Sequence, residues 1–302
     1  MTTLFVPAIE VGGTHVAAAA VDVSVGRVLE PTLSRRQLDS GASAREIIGK
    51  LVEAATSVVA DAGHEAILGV AIPGPFDYAE GICRFDGVEK FGSLRGLDLG
   101  ATLQERLDGA AVRIAFMNDA DAFTLGELVS GAAMGHRRVV GITLGTGIGS
   151  GFLDGGRVMT GDPRVPPDGS VHLLTVNGRP LEETISRRAL LREAKAAIGE
   201  LPADADVLDV AQLARHGDQR AWRVFDEALS ALGTALAPWL ADFGASLLVV
   251  GGSMAGSWDV VERPLVAGIV RARPELAGLL VRRAARPEHA ALIGAAVHAA
   301  AA

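Results

Sequence analysis

Cysteine is almost absent from this chain. Cys83 is the single cysteine among 302 residues, which excludes an internal disulfide framework and a zinc site built from several cysteine ligands. Uninterrupted apolar runs of about 18 residues, the length that spans a bilayer, are also lacking. The opening residues, MTTLFVPAIEVGG, lack the basic segment and long apolar stretch of a signal peptide. We therefore expect a soluble, cytoplasmic protein.

Basic charge is scarce as well. The chain has 28 Lys and Arg against 36 Asp and Glu, a net charge of -8, and the basic residues form no run. Nucleic-acid-binding domains carry a concentrated basic surface. The composition therefore disfavours a nucleic-acid partner.

Apolar residues are abundant, at 49% of the chain, and their spacing predicts an α/β protein with a substantial core. Ser43 and Glu46 have the spacing of a helix-capping box, which predicts a helix start. Strands are predicted at 4–10, 14–23, 27–33, 66–72, 111–117, 138–144, 151–154, 157–160 and 246–250. Helices are predicted at 44–62, 120–133, 182–198, 206–215, 218–241 and 289–300.

The sequence contains an internal repeat. Residues 9–22 (IEVGGTHVAAAAVD) and 142–156 (ITLGTGIGSGFLDGG) share an apolar strand, a glycine-rich turn with threonine, a second apolar strand and a polar turn. Such self-similarity indicates a duplicated α/β unit. We expect two α/β domains with a cleft between them, one formed by 1–117 with the C-terminal helix (289–302) and the other by 118–288.

Three glycine-rich turns follow apolar strands. Glycine lets backbone N–H groups approach an anion, because no Cβ intervenes, and each turn adds a hydroxyl that suits a phosphate. Ligand-free tight turns are the alternative for each one alone. GTGIGSG (145–151) is not a G-x-G-x-x-G motif and no P-loop motif occurs, so neither dinucleotide-binding nor P-loop enzymes are supported. The candidate phosphate-binding residues are Gly12, Gly13, Thr14, Gly145, Thr146, Gly147, Gly251, Gly252 and Ser253.

Two carboxylates stand at strand ends. Glu10 precedes the first glycine turn, where an acid could hold the Mg²⁺ shell of a nucleotide's phosphates. Asp119 follows the strand 111–117 in the stretch IAFMNDADAF. An aspartate there is a common helix cap, but it also suits a general base that takes a proton from an alcohol during phosphate transfer. Asn118 beside it could donate and accept hydrogen bonds with neighbouring hydroxyls.

These motifs together resemble the ROK family of bacterial sugar kinases. IEVGGTH (9–15) resembles the family's D-I-G-G-T-K phosphate loop, and VAIPGPFDYAEGI (70–82) its G-x-P-G-P segment. NDADA (118–122) is similar to N-D-A-N-A, and LGTGIGSG (144–151) to G-T-G-I-G-G-G. VVGGSM (249–254) and LIGAA (292–296) are similar to the family's closing glycines and final helix.

The resemblance implies an actin-like ATPase fold, which is related to ribonuclease H. It also implies transfer of the ATP γ-phosphate to a sugar hydroxyl, usually the 6-hydroxyl of a hexose, with Mg²⁺. Asp119 then matches the catalytic base, with Asn118 and Gly74 at the sugar. A homodimer is the state that the resemblance favours.

Departures from the family pattern concern the sugar and zinc segments. His172 matches the family histidine and Glu182 the glutamate after leucine, whereas Gly169 stands at the expected sugar-binding glutamate. No zinc cysteine remains, so no zinc site is expected. The family's Pro-Asn-Leu is replaced by a stretch that contains Asp86 and Glu89. Lost hydroxyl ligands and new acids suggest an amino sugar such as kanosamine (3-amino-3-deoxyglucose), since an ammonium pairs well with a partly buried carboxylate.

Other functions remain open within the same family. One is a glucokinase that uses ATP or polyphosphate, although the net charge of -8 gives no sign of a basic channel for polyphosphate. Another is a non-catalytic, sugar-responsive regulator. A repressor of that type requires an added DNA-binding domain, whereas the phosphate loop here starts at residue 10.

Overall fold

The computed structural model describes residues 5–59, 67–87, 90–107, 113–202 and 204–302. Parts of the predicted elements at 44–62, 66–72 and 111–117 lie outside these residues. Within the described ranges, no helix is both long enough and apolar enough to span a bilayer.

The chain divides into two compact units. The first contains Met1–Met134 and Glu288–Ala302, and the second contains Gly135–Pro287. The sequence-based boundary at 117/118 therefore differs from the observed one at 134/135. The difference is the helix that follows residue 118, which packs within the first unit.

A mixed sheet forms the centre of the first unit, in the order β3-β2-β1-β5-β8, with β4 pairing with β2. β1 and β2 are antiparallel, whereas β5 and β8 run parallel to β1. The strands are β1 (Phe5–Val11), β2 (His15–Asp22), β3 (Arg27–Val28), β4 (Ser34–Gln37), β5 (Ile67–Ile72), β6 (Phe76–Asp77), β7 (Ile82–Cys83) and β8 (Arg113–Asn118). The helices before residue 134 are α1 (Ala44–Val59), α2 (Leu99–Arg106) and α3 (Asp119–Ser130).

Helix α1 begins where the capping box predicts. The Ser43 hydroxyl donates to Glu46 Oε2 at 2.7 Å, and the Glu46 N–H donates back to the Ser43 hydroxyl at 3.4 Å. The apolar face of α1 is buried in the core of the first unit. Its residues are Ile47, Leu51, Ala54, Val58 and Val59.

The second unit contains a sheet in the order β11-β10-β9-β14-β15. Its strands are β9 (Arg138–Leu144), β10 (Ile148–Asp154), β11 (Arg157–Val158), β12 (Thr175–Val176), β13 (Arg179–Pro180), β14 (Leu247–Gly251) and β15 (Leu280–Arg283). Its helices are α4 (Glu182–Ile185), α5 (Arg187–Ile198), α6 (Val207–Arg215), α7 (Gln219–Phe243) and α8 (Trp258–Ala272).

The two sheets confirm the repeat seen in the sequence. In each, an antiparallel pair is joined by a glycine-rich turn, β1–β2 in one and β9–β10 in the other. The next strand then pairs in parallel with the first strand of that pair, β5 with β1 and β14 with β9. Each unit therefore presents a strand-terminal glycine turn beside the end of a parallel strand.

The C-terminal helix α9 (Ala290–Ala301) packs on α3 and on the sheet of the first unit. Three glycines allow the close approach. A Cβ on Gly126 or Gly294 would overlap the backbone of the opposite helix, and a Cβ on Gly69 would overlap that of Ala295. The glycine of the LIGAA motif therefore has a packing role, which also explains why α3 belongs to the first unit.

Several elements differ from the predictions. The segment 27–33 is a two-residue strand followed by a 3₁₀ turn at Glu30–Thr32, since Pro31 has no N–H for a strand ladder. The helix predicted at 182–198 is divided at Ser186, whose hydroxyl accepts from Ala189 N–H and starts α5. The hairpin β6–β7, helices α2 and α8, and strand β15 were not predicted.

Candidate active site

The carboxyl ends of three parallel strands lie together at one edge of the first sheet. Glu10 pairs in register with Ala71, and Ala71 pairs with Met117. Ile72 in turn pairs with Asn118, the last residue of β8. The first glycine turn, the Pro-Gly-Pro segment and the Asn-Asp pair therefore leave the sheet at the same edge, where open α/β sheets bind ligands.

Asn118, not Asp119, caps helix α3. The Asn118 Oδ1 accepts hydrogen bonds from the N–H groups of Ala120 and Asp121, at 2.9 and 3.2 Å. Asp119 is the first residue of the helix, and one of its oxygens accepts from Ala120 N–H at 2.9 Å. The interpretation of Asp119 as a helix cap is therefore wrong. Its carboxylate remains at the sheet edge with its second oxygen uncommitted among the described residues.

Three acids at this edge have raised pKa values. Burial raises the pKa of Glu10 to about 7, with a further increase from the charge of Asp119 and an opposing effect of Arg35. Burial and the charge of Asp119 also raise the pKa of Asp121 to about 7. Burial raises the pKa of Asp119, whereas the Ala120 N–H and the Lys90 ammonium lower it. Clustered, perturbed acids of this kind are typical of functional sites.

The turn after β1 is tight and lies against Lys90. Gly12 N–H donates to His15 C=O at 2.8 Å, which closes the turn. A Cβ on Gly13 would stand 3.2 Å from Lys90 Cε and 3.4 Å from Lys90 Nζ. Burial, with an added effect of Arg35, lowers the pKa of His15, so its ring is neutral at pH 7. Lys90 is therefore a cation in contact with this turn, and Arg35 is a second one whose charge acts on it.

Tyr78 connects the Pro-Gly-Pro segment to the Asn-Asp pair. The Asn118 Nδ2 donates to the Tyr78 hydroxyl at 3.0 Å, and a Cβ on Gly74 would stand 3.3 Å from that hydroxyl. Gly74 and Asn118 are thus brought together as predicted. An amide nitrogen carries two hydrogens, so one Asn118 N–H remains for a ligand.

Two glycine turns meet in the second unit. Gly251 pairs in register with Thr143, so β9 and β14 end side by side. A Cβ on Gly145 would stand 3.7 Å from Ser253 Oγ. The hydroxyl-bearing residues Thr146 and Ser253 are exposed. The structure therefore joins two predicted phosphate-type turns in one place.

Gly252 and Gly147 also meet steric demands. Gly252 has a φ of 82° and faces the backbone of Leu144, which a Cβ would overlap. A Cβ on Gly147 would overlap the Glu182 carboxylate. Packing requires Gly252 whether or not a ligand binds, and Glu182 lies beside the predicted nucleotide turn.

The departure at Gly169 has a structural reason. Gly169 is buried with a φ of 68°, and a Cβ would stand 3.4 Å from Met159 C=O. Ser150, the residue that differs from the family's glycine run, donates to Gly169 C=O at 2.6 Å and accepts from Val171 N–H at 3.0 Å. A glutamate at position 169 would be strained in this conformation. Ser150 holds the segment that precedes His172, which is exposed.

The two predicted acids that replace the Pro-Asn-Leu segment give no support for a sugar contact. Asp86 is exposed and forms an ion pair with Arg95, so its charge is already compensated. Glu89 lies outside the described residues. Tyr78, Lys90 and Asp121 were not predicted as site residues. Tyr78 lies in the G-x-P-G-P segment, Asp121 replaces the second asparagine of N-D-A-N-A, and Lys90 directly follows Glu89.

The support for metal binding at Glu10 comes from the properties of its carboxylate alone. In the described part of the chain, no group of three or more His, Cys, Asp or Glu side chains is arranged to hold a metal ion. The expectation that zinc is absent stays a prediction. Glu10 is a largely buried acid whose carboxylate accepts no hydrogen bond from a described residue, and such a group suits the water shell of Mg²⁺.

Comparison with known proteins places this arrangement in a family. A sequence model of the ROK family matches residues 6–302. A glucokinase from Thermotoga maritima is 27% identical over 282 residues, which cover 87% of this chain and 86% of that protein. A ROK hexokinase from Thermus thermophilus has a similar structure, with a TM-score of 0.78 and 28% identity over 98% of both chains. A ROK family glucokinase from Streptomyces griseus, solved in complex with glucose and AMPPNP, also has a similar structure. Its TM-score is 0.76, and it is 26% identical over 97% of this chain and 98% of that one. Since the family model spans nearly all of the sequence, the chain belongs to the ROK family, and it has that family's two-domain actin-like ATPase fold.

Proposed function

We propose that the protein is an ATP-dependent hexose kinase that phosphorylates the 6-hydroxyl of its sugar, with Asp119 as general base. The observation that carries the proposal is the division of roles at the end of β8. Asn118 caps α3, so Asp119 is free to act at the edge that also carries Glu10 and the first glycine turn. Relatives that are named glucokinase and hexokinase support the same activity.

The proposed reaction transfers the γ-phosphoryl group of ATP to the sugar hydroxyl. The sugar oxygen forms a bond to the γ-phosphorus of ATP, the bond from that phosphorus to the bridging oxygen breaks, and ADP leaves with the electron pair. The hydroxyl proton passes to Asp119. Asp119 must be ionised to accept it. Because burial raises its pKa, we expect kcat to fall as the pH is lowered.

The glycine turns are proposed to bind the nucleotide. Backbone N–H groups of Gly12, Gly13 and Thr14 would contact the transferred phosphate, and the turns at 145–147 and 251–253 would contact the rest of the nucleotide. Glu10 would hold Mg²⁺ through water, and the ion would neutralise charge on the phosphates. A solved glucokinase relative contains AMPPNP, an ATP analogue, which supports ATP as a donor.

Glucose is the first acceptor to test, and Asn118, Gly74, His172 and Glu182 are proposed to contact the sugar. The amino-sugar hypothesis depends on new acids, and the ion pair of Asp86 with Arg95 removes one of them. Kanosamine therefore stands as a second candidate that rests on Glu89, on Asp168 (a further new acid, beside Gly169) and on the lost hydroxyl ligands.

A coupled assay of ADP release tests the activity across glucose, mannose, glucosamine, kanosamine and N-acetylmannosamine. We expect Asp119→Asn to lower kcat at least ~100-fold, the usual contribution of a positioned base. Asp259→Asn is the matched control, since Asp259 is also an acid in the first turn of a helix but pairs with Arg215 at an exposed position. We expect it to stay within about twofold of the wild type, as surface substitutions usually do.

Two results would contradict the proposal. If Asp119→Asn retained near-normal turnover, Asp119 would not be the base. If the wild type bound a sugar tightly but released no ADP with any acceptor, the non-catalytic regulator would be the better description.

A further inference from the structure

Lys90 occupies a position that the proposed reaction has not yet used. It is one of three lysines in the chain, with Lys50 and Lys195, and its side chain is half-buried. Among the described residues, Lys90 donates no hydrogen bond and joins no ion pair. A surface lysine without a partner usually extends into water, whereas this one lies along the glycine turn that follows β1.

The approach to the turn is close. A Cβ on Gly13 would stand 3.2 to 3.4 Å from the last two carbons and the ammonium of Lys90. A larger residue at position 13 would push this side chain away. The absence of a Cβ at Gly13 therefore has two effects. It leaves backbone N–H groups of the turn accessible, and it leaves room for the Lys90 ammonium beside them.

The residue that follows Lys90 is held firmly in place. Phe91 N–H donates to Ser40 C=O at 2.8 Å, and Ser40 N–H donates to Gly13 C=O at 3.2 Å. Phe91 is fully buried, packs on Phe85 with ring centroids 5.3 Å apart, and has a φ of 60°. A non-glycine residue in the left-handed region costs free energy and is retained where the surroundings require it. Phe91 thus anchors Lys90 over the turn.

Two cations act on the groups of this turn: the charge of Arg35 lowers the pKa values of Glu10 and His15, and Lys90 is the one whose side chain lies against Gly13. His15, the residue that replaces the lysine of the family's phosphate loop, is neutral because burial lowers its pKa. Glu10 and Asp119 are both acidic and face the same edge. A phosphoryl group with its developing negative charge would meet two carboxylates there unless a cation compensated them.

We propose that Lys90 binds the phosphoryl group during its transfer, as the protein's own cation at the Gly12–Gly13 turn. The inference rests on the proposed kinase function. An ammonium at this turn stabilises negative charge on the phosphoryl oxygens as the bond to ADP breaks. It also offsets the repulsion between that charge and Asp119, whose pKa it lowers against the raising effect of burial.

Lys90→Met tests the proposal, because methionine keeps an unbranched side chain and removes the charge. We expect kcat to fall about 10²-fold, the usual effect of removing one donor to developing charge. Affinity for the hexose without nucleotide should change less than about threefold. Affinity for the product hexose 6-phosphate, measured by calorimetry, should fall at least ~10-fold, since only the product carries the phosphate.

Two further variants separate charge from structure. Lys90→Arg should retain more kcat and product affinity than Lys90→Met, because it keeps a positive charge. Lys50→Met is the matched control, since Lys50 is exposed on α1 and pairs with Glu53 at 3.1 Å. The Lys50→Met variant should match the wild type in every measurement. The melting temperatures of all three variants should lie within about 3 °C of the wild-type value, as expected for substitutions outside the core.

Different results would overturn different claims. If Lys90→Met kept wild-type kcat and product affinity in an active enzyme, the inference would be wrong and the proposed function would stand. Equal weakening of hexose and hexose 6-phosphate would assign Lys90 to the sugar instead of the phosphate. A wild type that phosphorylates no hexose would remove the proposed function and this inference with it.

Discussion

Asn118 and Asp119 show how neighbouring residues divide structural and chemical work. The Asn118 amide caps α3 and bonds to Tyr78, so the carboxylate of Asp119 is not the cap of the helix. A carboxylate that is not needed as a cap can be placed where its burial costs stability and serves chemistry. The raised pKa values of Glu10, Asp119 and Asp121 record that cost.

Glu10 leads to a prediction about stability and pH. Its pKa is raised from 4.5 to about 7, so the folded protein binds this proton more tightly than the unfolded chain does. The contribution of the group to stability is present below about pH 4.5 and is lost as the pH rises through about 7. In metal-free buffer at pH 8, Glu10→Gln should therefore be more stable than the wild type, by on the order of 2 kcal/mol.

The gain should disappear at about pH 5, where Glu10 is protonated in the wild type. Thermal unfolding at the two pH values measures both quantities. Glu53→Gln is the control, because Glu53 is exposed on α1, and it should show no such dependence. An equal gain for Glu10→Gln at both pH values would refute the titration of this group as the cause.

Helix contacts in the first unit depend on glycines at which two backbones meet. Gly126 and Gly294 allow α3 and α9 to approach, and Gly69 admits α9 to the sheet. In the second unit, Gly233 and Gly268 play the same part between α7 and α8. The position of α3, and with it that of Asp119, therefore depends on a helix from the far end of the chain.

Gly294→Ala tests this packing. A Cβ at position 294 would overlap the Ala122 carbonyl, so we expect a loss of roughly 1–3 kcal/mol of stability, the usual cost of overpacking. Gly49→Ala is the matched control, a helix glycine whose Cβ would have nothing within 4 Å. It should gain up to about 1 kcal/mol from helix propensity. Urea unfolding would measure both, and a stabilised Gly294→Ala would show that the helices have room to move apart.

Two copies of one plan make up the molecule. Each unit carries a glycine turn between antiparallel strands and a parallel strand beside it. Among the described residues, the acids with raised pKa values lie in the first unit. The duplication thus accounts for the repeated turns, whereas the proposed acid–base chemistry belongs to one copy. The homodimer implied by the family resemblance stays a prediction, which light scattering of the purified protein would check.

Sugar binding should be visible in the stability of the whole protein. A ligand that binds only the folded state at 100 times its Kd adds about 2.7 kcal/mol. D-glucose should therefore raise the melting temperature by several degrees, and the shift should keep rising with the logarithm of the concentration above the Kd. L-glucose at equal concentration is the control for a general solvent effect. The same shift with both enantiomers would show that glucose is not specifically bound.

Local patterns in the sequence were enough to predict much of the fold and part of the site. Apolar periodicity located most strands and helices, and the Ser43–Glu46 box placed the start of α1, because both signals depend on residues a few positions apart. The repeated strand–turn–strand plan predicted the two related sheets for the same reason. Glu10, Gly74, Asn118 and Asp119 were recognised because each stands at the end of a predicted strand or in a quoted motif.

Contacts between segments that are far apart in the sequence could not be predicted from these local patterns. Asn118 and Asp119 have equal claims to the helix cap in the sequence, and their backbone geometry in the fold assigns it to Asn118. Asp86 was predicted to be a sugar ligand, but folding pairs it with Arg95. Lys90 lies over Gly13 because Phe91 is buried and bonded to Ser40. Local propensity specifies the elements of this protein, whereas the partners of its charged side chains depend on which segments the packed core brings together.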